Sequence, residues 1–223
     1  MKINKKIIYP ITLIGIYMVY FFFLAKYFYN NDLLIPANCV TTSNIGIKLL
    51  GDFLANLLIV IIVISIMLRK KQSLNIAGIT KNGKIVACIL FAIYMGIFFI
   101  EGDFSLAGLY KPFFFLIVVG FSEEFVFRGY LFTELDKELP TYLAVIISGM
   151  MWGAMHATLP IIVNNYSGIQ SINAIISQLG GCIFAGAIFA LLYKKSNSLI
   201  IPILVHALLD FYPIFRFLYS IIT

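Results

Sequence analysis

Long apolar runs separated by short polar connections dominate the pattern along the chain. A helix needs about 20 mostly apolar residues to cross the hydrocarbon core of a bilayer, with a tolerance of a few. Seven runs approach or exceed this length: 7–29, 47–68, 85–100, 112–132, 142–157, 172–193 and 199–222. A break at Pro213 would divide the last run and give eight helices. The pattern predicts an all-α polytopic membrane protein with seven to eight transmembrane helices, and we expect residues 1–223 to form a single membrane domain.

The composition agrees with this prediction. Of the 223 residues, 61% are hydrophobic and 12% are charged, whereas soluble domains average about 45–50% and 25%. The expected surroundings are therefore membrane lipid. Cys39, Cys88 and Cys182 have no CxxC spacing, which argues against a disulfide framework or a thiolate metal site. No basic run interleaved with aromatic residues lies outside the apolar runs, so nucleic acid is not an expected partner.

Basic residues are concentrated in alternate connections of the chain. Lysines and arginines cluster in segments 2–6, 69–84 and 194–195, and the intervening connections hold few. Positive charge marks the cytoplasmic side of membrane proteins, so we expect a cytoplasmic N-terminus. The abundance of Ile, Lys and Asn is typical of an AT-rich bacterium and predicts an integral protein of a bacterial plasma membrane.

One apolar run contains three charged side chains close together. Glu123, Glu124 and Arg128 lie in run 112–132, and residues 112–120 before them carry no charge. Charged groups at membrane depth are costly and usually face a partner or a polar cavity. On a helix, Glu124 and Arg128 share a face and can pair, whereas Glu123 points about 100° away. A structural ion pair would explain Glu124 and Arg128, but it leaves Glu123 available for another partner.

The only two histidines of the chain also fall within apolar runs. His156 follows Trp152 by four residues. His206 precedes Asp210 by four, so that Asp210 can fix the tautomer of its imidazole. A single buried histidine is more often a hydrogen-bonded core residue than a catalytic one. Two histidines, two glutamates, an arginine and an aspartate in three helices instead predict one polar site enclosed by the transmembrane helices.

Two hydrolytic chemistries use a glutamate with two histidines. In the first, the glutamate and one histidine deprotonate water, and the second histidine with Asp210 or Arg128 stabilises the oxyanion. In the second, Glu123, His156 and His206 hold zinc, which generates the hydroxide itself. The chain lacks HExxH, the spacing that would indicate zinc strongly. Both chemistries stay open, with a slight preference for glutamate-activated water.

Three motifs follow one another along the chain: Glu-Glu-x-x-x-Arg at 123–128, Trp-x-x-x-His at 152–156 and His-x-x-x-Asp at 206–210. Their order in membrane helices resembles the CAAX-protease and bacteriocin-processing family (CPBP, also called Abi) of intramembrane endopeptidases. A eukaryotic relative trims prenylated CAAX proteins. The resemblance covers about 112–210. It implies hydrolysis of a peptide bond in a membrane-associated protein or peptide, by a glutamate or a metalloprotease mechanism.

The resemblance also implies a role for the residues of the first two motifs. Glu123 would be the base that activates water, with Glu124 beside it. Arg128 would steady the two carboxylates. His156 would assist in activating water or bind the metal. Trp152 stands where the family usually has Phe, so the aromatic wall is kept but the shape of the pocket changes.

The third motif would form the oxyanion side of the site. Asp210 stands where Asn is common in the family and Asp is also seen. Because an ionised carboxylate is a poor hydrogen-bond donor, we expect Asp210 to orient His206 and not to contact the oxyanion itself.

Two other functions are alternatives to proteolysis. Some members of the family are linked to bacteriocin self-protection, and the same fold could serve as a non-proteolytic immunity or binding protein. Buried Glu, His and Asp also serve proton relays in carriers, but the chain shows no paired Gly/Pro-broken helices in matching halves.

Small residues predict where the helices pack closely, and one further acidic residue lies near a membrane boundary. Close helix packing is the expected role of Gly149, Gly153, Gly180, Gly181 and Gly186. Asp52 is expected at the membrane interface.

Overall fold

Each predicted apolar run contains a helix within the described residues, and six of these helices are long and apolar enough to cross a membrane. The computed structural model describes residues 5–211. The helices are α1 Lys5–Asn30, α2 Ile45–Arg69, α3 Lys84–Glu101, α4 Leu106–Asp136, α5 Thr141–Val163, α6 Ile169–Ser196 and the shorter apolar helix α7 Ile200–Phe211. Residues 5–211 contain no strand. The predicted fold class is confirmed: the chain is an all-α polytopic integral membrane protein.

The fifth helix is longer than its apolar run. The chain turns at Ala157 and continues as helix over Thr158–Val163, so the expected connection 158–171 begins later than predicted. Pro160 lies in the first turn of this second piece, where its missing N–H needs no intrahelical partner. The predicted break at Pro213 lies outside the described residues, and an eighth helix stays a prediction.

Helix α4 changes its hydrogen-bond pattern around the two glutamates. Segments Phe114–Phe121 and Glu124–Phe132 form π-helical turns, and Ser122 and Glu123 lie between them. Pro112 has no amide N–H, so the regular ladder loses a bond just before the first π-helical segment. Such wide turns are frequent at functional sites. Glu123, Glu124 and Arg128 therefore lie within or directly beside the part of α4 that departs most from α-helical geometry.

Helix α4 also lies at the centre of the protein. All nine residues of Glu124–Phe132 are buried. The six of them with aromatic or aliphatic side chains pack in one hydrophobic cluster with side chains of α1, α2, α5, α6 and α7, such as Ile14, Val63, Met155, Phe189 and Ile203. Large apolar side chains elsewhere point outwards, among them Ile85, Ile100 and Phe184. Outward apolar surface around a buried polar centre is the arrangement that a lipid environment requires.

Helices α5 and α6 approach each other closely at two glycines of α5. A Cβ atom at Gly149 would lie 2.9 Å from Cα of Ile183, and one at Gly153 would lie 3.1 Å from the carbonyl oxygen of Gln178. A side chain would collide with the backbone of α6 at Gly149 and would be in unusually tight contact with it at Gly153. The predicted close packing is confirmed at both glycines.

The glycines of α6 differ among themselves. A Cβ atom at Gly186 would lie 3.0 Å from Nη2 of Arg128, so Gly186 leaves the space that the guanidinium occupies. Gly180 and Gly181 are exposed, and a Cβ atom there would meet nothing within 4 Å. The packing role predicted for Gly180 and Gly181 is therefore wrong, because that face of α6 points away from its neighbours.

Asp52 was expected at the membrane interface, but it is buried inside the protein. Nζ of Lys48, one turn earlier on α2, lies 2.7 Å from Oδ1 of Asp52. The hydroxyl of Tyr110 on α4 donates to Oδ2 of the same carboxylate. These contacts satisfy both oxygens and fasten α2 to the beginning of α4.

Candidate active site

Helix α4 directs Glu124 and Arg128 into the centre of the bundle. Their side chains are 0% and 1% exposed, and Nη1 of Arg128 donates to Oε1 of Glu124 over 2.9 Å. The i,i+4 pair predicted from the sequence is therefore present. Removing one partner of such a pair would leave the other charge alone in a low-dielectric interior, which is strongly unfavourable.

Helix α7 brings His206 to the same carboxylate. Nδ1 of His206 lies 2.8 Å from Oε1 of Glu124, and Nε2 lies 3.3 Å from Oδ2 of Asp210. The imidazole is buried between two carboxylates, whereas the side chain of Asp210 is 38% exposed. Glu124 as well as Asp210 therefore orients His206. The contact with Glu124 joins residues 82 positions apart, so no local spacing indicated it.

Glu123 points away from the buried pair and toward α5. Nε1–H of Trp152 donates to Oε2 of Glu123 over 2.5 Å, and Nε2 of His156 lies 3.9 Å from the same oxygen. Nδ1 of His156 lies 3.0 Å from the backbone carbonyl of Trp152. A carbonyl can only accept, so Nδ1 carries a proton and Nε2 is the nitrogen that faces Glu123.

The cluster has two halves that differ in exposure to solvent: Glu123 with His156, and Glu124 with Arg128. The side chain of His156 is 36% exposed and that of Glu123 is 11% exposed, whereas Glu124 and Arg128 are inaccessible. A substrate or a water molecule would therefore reach Glu123 and His156 before it reached Glu124 and Arg128.

Two aromatic rings pack against the buried side chains of the cluster. The guanidinium carbon of Arg128 lies 4.1 Å from the ring centroid of Trp152 and 5.1 Å from that of Phe189, distances typical of cation–π contacts. Phe189 also stacks on His206, with centroids 5.0 Å apart and an interplanar angle of 15°. Sequence reasoning missed Phe189, because nothing distinguishes it from Phe184 of the same helix. Trp152 was predicted as a wall but not as a hydrogen-bond donor.

Two atoms of the buried pair keep unused hydrogen-bonding capacity. Oε2 of Glu124 and Nη2 of Arg128 have no hydrogen-bond partner within residues 5–211. Buried polar atoms are nearly always satisfied, so an unsatisfied one within a polar cluster indicates capacity for water or a ligand. The cluster can therefore accept additional polar groups next to His206.

Glu123, His156 and His206 are not arranged as the three ligands of the zinc site that the sequence left open. A catalytic zinc ion takes three protein ligands and a water. Between residues 5 and 211, no group of three His, Cys, Asp or Glu side chains is arranged to hold a metal ion. Of the three predicted ligands, His206 directs its two nitrogens to Glu124 and Asp210, and only Glu123 and His156 approach each other. The chemistry derived below is accordingly built from side chains alone.

All six side chains predicted from the sequence lie in this one cluster: Glu123, Glu124, Arg128, His156, His206 and Asp210. They come from α4, α5 and α7. Trp152 and Phe189 complete the cluster from α5 and α6.

Comparison with known proteins agrees with the sequence resemblance. Residues 105–212 match the family model described as type II CAAX prenyl endopeptidase Rce1-like. No curated protein and no solved structure matches the chain. The matched segment contains helices α4 to α7 and every residue of the cluster. This segment of the chain therefore matches the Rce1-like family of type II CAAX prenyl endopeptidases.

Proposed function

We propose that the protein is an intramembrane endopeptidase in which Glu123 and His156 together activate a water molecule. The family match supports a CAAX-type endopeptidase. The observation that carries the proposal is the 3.9 Å approach of Oε2 of Glu123 to Nε2 of His156, on the accessible side of the cluster. This distance is too long for a direct hydrogen bond, and a water molecule beside the gap can contact both atoms.

In the proposed reaction Glu123 is the general base. It takes one proton from the water as the water oxygen attacks the carbonyl carbon of the scissile peptide bond. Nε2 of His156 orients the same water. The carbonyl becomes an oxyanion in the tetrahedral intermediate, and Glu123 then transfers its proton to the amide nitrogen as the C–N bond breaks. The products are a carboxylic acid and an amine.

His206 is positioned to stabilise the oxyanion. An imidazolium here donates from Nδ1 to Glu124, and its Nε2–H lies beside Asp210, with Nε2 3.3 Å from Oδ2. Because Asp210 is partly exposed, it can move aside and let the substrate oxygen accept the Nε2–H. Glu124 keeps the ring in place during this exchange, and Arg128 balances the charge of Glu124.

The substrates we propose are peptides or proteins attached to or lying near a membrane. The cluster lies within apolar helices, so a scissile bond held at the bilayer surface can reach it more readily than one on a freely diffusing protein. We further propose a bacterial plasma membrane as the location, with the N-terminus in the cytoplasm. In protein whose native Cys39, Cys88 and Cys182 are replaced by Ser, labelling of single cysteines introduced at Lys5 and at Asn38 with an impermeant reagent on intact cells tests this orientation, which predicts labelling at position 38 alone.

The test of the function is cleavage by the purified protein in proteoliposomes. The probe is a fluorogenic CAAX peptide, with and without a prenyl group. We expect Glu123→Gln to lower kcat by about 10²–10⁴-fold, the usual contribution of a general base, with unchanged helicity. Glu101→Gln makes the same chemical change in an ion pair with Lys111 outside the cluster, and should leave kcat unchanged.

Folded Glu123→Gln protein with full activity would exclude the proposed base. The non-proteolytic immunity function would be favoured by a different result. In that case the wild-type protein cleaves neither peptide, and it protects cells from a bacteriocin no better than the Glu123→Gln variant does.

A further inference from the structure

A polar cavity of about 420 Å³ lies where α1 begins and α4 ends, away from the catalytic cluster. It is lined by side chains from three parts of the chain: the first turns of α1, the connection after α2, and the last turn of α4 with the residues that follow. Its charged lining residues are Lys5, Lys6, Lys70 and Lys137 together with Glu134 and Glu138. Four lysines against two glutamates give this cavity a net charge of +2.

The two glutamates are already paired with two of the lysines. Nζ of Lys6 lies 2.9 Å from Oε1 of Glu138, and Lys137 contacts Glu134. The excess positive charge of the cavity therefore belongs to the two other lysines.

Lys5 and Lys70 carry this excess charge. Neither forms an ion pair with an acidic residue in the part of the chain that the structure describes, and Nζ of Lys70 lies over the ring of Tyr9 at 4.0 Å. Gln72 lines the same cavity and adds an amide donor. Two unpaired ammonium groups and an amide facing one cavity form a binding site for an anion with several acceptor oxygens, such as a phosphate.

The surroundings favour a phosphate that belongs to a lipid. Below the cavity the surface of α1 is apolar and outward-facing, with Ile8, Tyr9 and Ile16 39%, 44% and 64% exposed. Acyl chains of a lipid whose headgroup occupied the cavity would extend along this surface. A liquid water molecule takes about 30 Å³, so 420 Å³ has room for a phosphate with its glycerol. The lysines also mark the proposed cytoplasmic boundary, where basic pockets between helices bind anionic headgroups.

We propose that this cavity is a binding site for the headgroup of an anionic phospholipid, with its phosphate held by Lys5 and Lys70. The bound lipid joins the start of α1, the connection after α2 and the end of α4. Since α4 carries Glu123 and Glu124, the lipid stabilises the helix on which the catalytic cluster is built. The proposal does not depend on the enzymatic activity.

The test uses the full chain purified in a neutral detergent. Phosphatidylglycerol and phosphatidylcholine with identical acyl chains are titrated separately, and binding is followed by native mass spectrometry and by the thermal unfolding temperature. We expect a saturable rise of the unfolding temperature with phosphatidylglycerol only. In Lys5→Gln/Lys70→Gln the apparent affinity for phosphatidylglycerol should fall about 30-fold, the loss of two lysine contacts.

Lys81→Gln/Lys84→Gln is the matched control. It removes the same charge from the same side of the protein, but neither lysine lines the cavity. An equal loss of affinity in this control would overturn the proposal in favour of general surface attraction. Equal binding of phosphatidylcholine, unchanged binding by Lys5→Gln/Lys70→Gln, or a shift that inorganic phosphate alone saturates would overturn it as well.

Discussion

The indole N–H of Trp152 on α5 donates a hydrogen bond to the carboxylate of Glu123 on α4 over 2.5 Å. The same indole lies against the guanidinium of Arg128 at 4.1 Å and against the ring of His156, with centroids 4.8 Å apart. One side chain thus contacts both the accessible and the buried half of the cluster. By holding Oε2, it fixes the orientation in which Glu123 meets His156.

Replacing this indole by a phenyl ring separates the hydrogen bond from the aromatic wall. In Trp152→Phe we expect kcat to fall about 10–150-fold with KM changed less than about threefold, because a hydrogen bond to a charged group contributes about 1.5–3 kcal/mol. Peptide cleavage over a range of substrate concentrations measures both constants. A variant with wild-type kcat would show that the N–H does not position the base.

The same hydrogen bond has a spectroscopic signature that does not need a substrate. The chain contains a single tryptophan, so ¹⁵N-labelled protein should give one indole N–H resonance. We expect Glu123→Gln to move this resonance upfield, because a neutral amide is a weaker acceptor than a carboxylate. Glu101→Gln, far from the indole in an ion pair with Lys111, should leave it in place. An unmoved resonance in Glu123→Gln would contradict the contact.

Glu124 should matter for stability in a way that Glu123 does not. In Glu124→Gln we expect a loss of about 3–5 kcal/mol in the free energy of unfolding, because the buried guanidinium of Arg128 loses its counter-charge. Reversible unfolding in mixed micelles measures this quantity. Glu101→Gln breaks the partly exposed pair with Lys111 and should cost no more than about 1 kcal/mol. Similar losses in the two variants would mean that the buried pair is not structurally important.

The glycines of α5 and α6 provide a test of helix packing with an internal control. Gly149→Ala should destabilise the protein by about 1–3 kcal/mol, because its Cβ would lie 2.9 Å from the backbone of α6. Gly180→Ala places a methyl group where nothing lies within 4 Å and should be neutral or slightly stabilising. Unfolding in the same micelles compares the two, and the reverse order would mean that the helices pack differently.

Treatment with a chelator distinguishes the two mechanisms that the motifs left open, which are water activated by a glutamate and hydroxide bound to zinc. We expect peptide cleavage to survive 1,10-phenanthroline and EDTA, because His206 already directs both nitrogens to carboxylates and only Glu123 and His156 are close to each other. Metal analysis of the purified protein accompanies the assay. One zinc per chain, with activity lost on chelation and restored by zinc, would establish the metal mechanism.

Several properties of this protein could be predicted from local sequence. A bilayer leaves no partner for an unsatisfied backbone group, so spanning segments must be long, apolar and helical, and each is visible by itself. The pairs Glu124 with Arg128 and His206 with Asp210 follow from helical spacing alone. The motifs at 123–128, 152–156 and 206–210 also indicated the family resemblance, and the family model matches residues 105–212, which contain all three.

The sequence by itself therefore determined the fold class, the helices and the six charged or imidazole side chains of the cluster. Only the tertiary structure decided that His206 binds Glu124, that the Trp152 N–H binds Glu123, and that Phe189 stacks on His206. These contacts join residues 82, 29 and 17 positions apart, on different helices. Helical periodicity relates residues only within one helix, whereas contacts between helices depend on how all of them pack, including the close approach at Gly149 and the wide turns of α4.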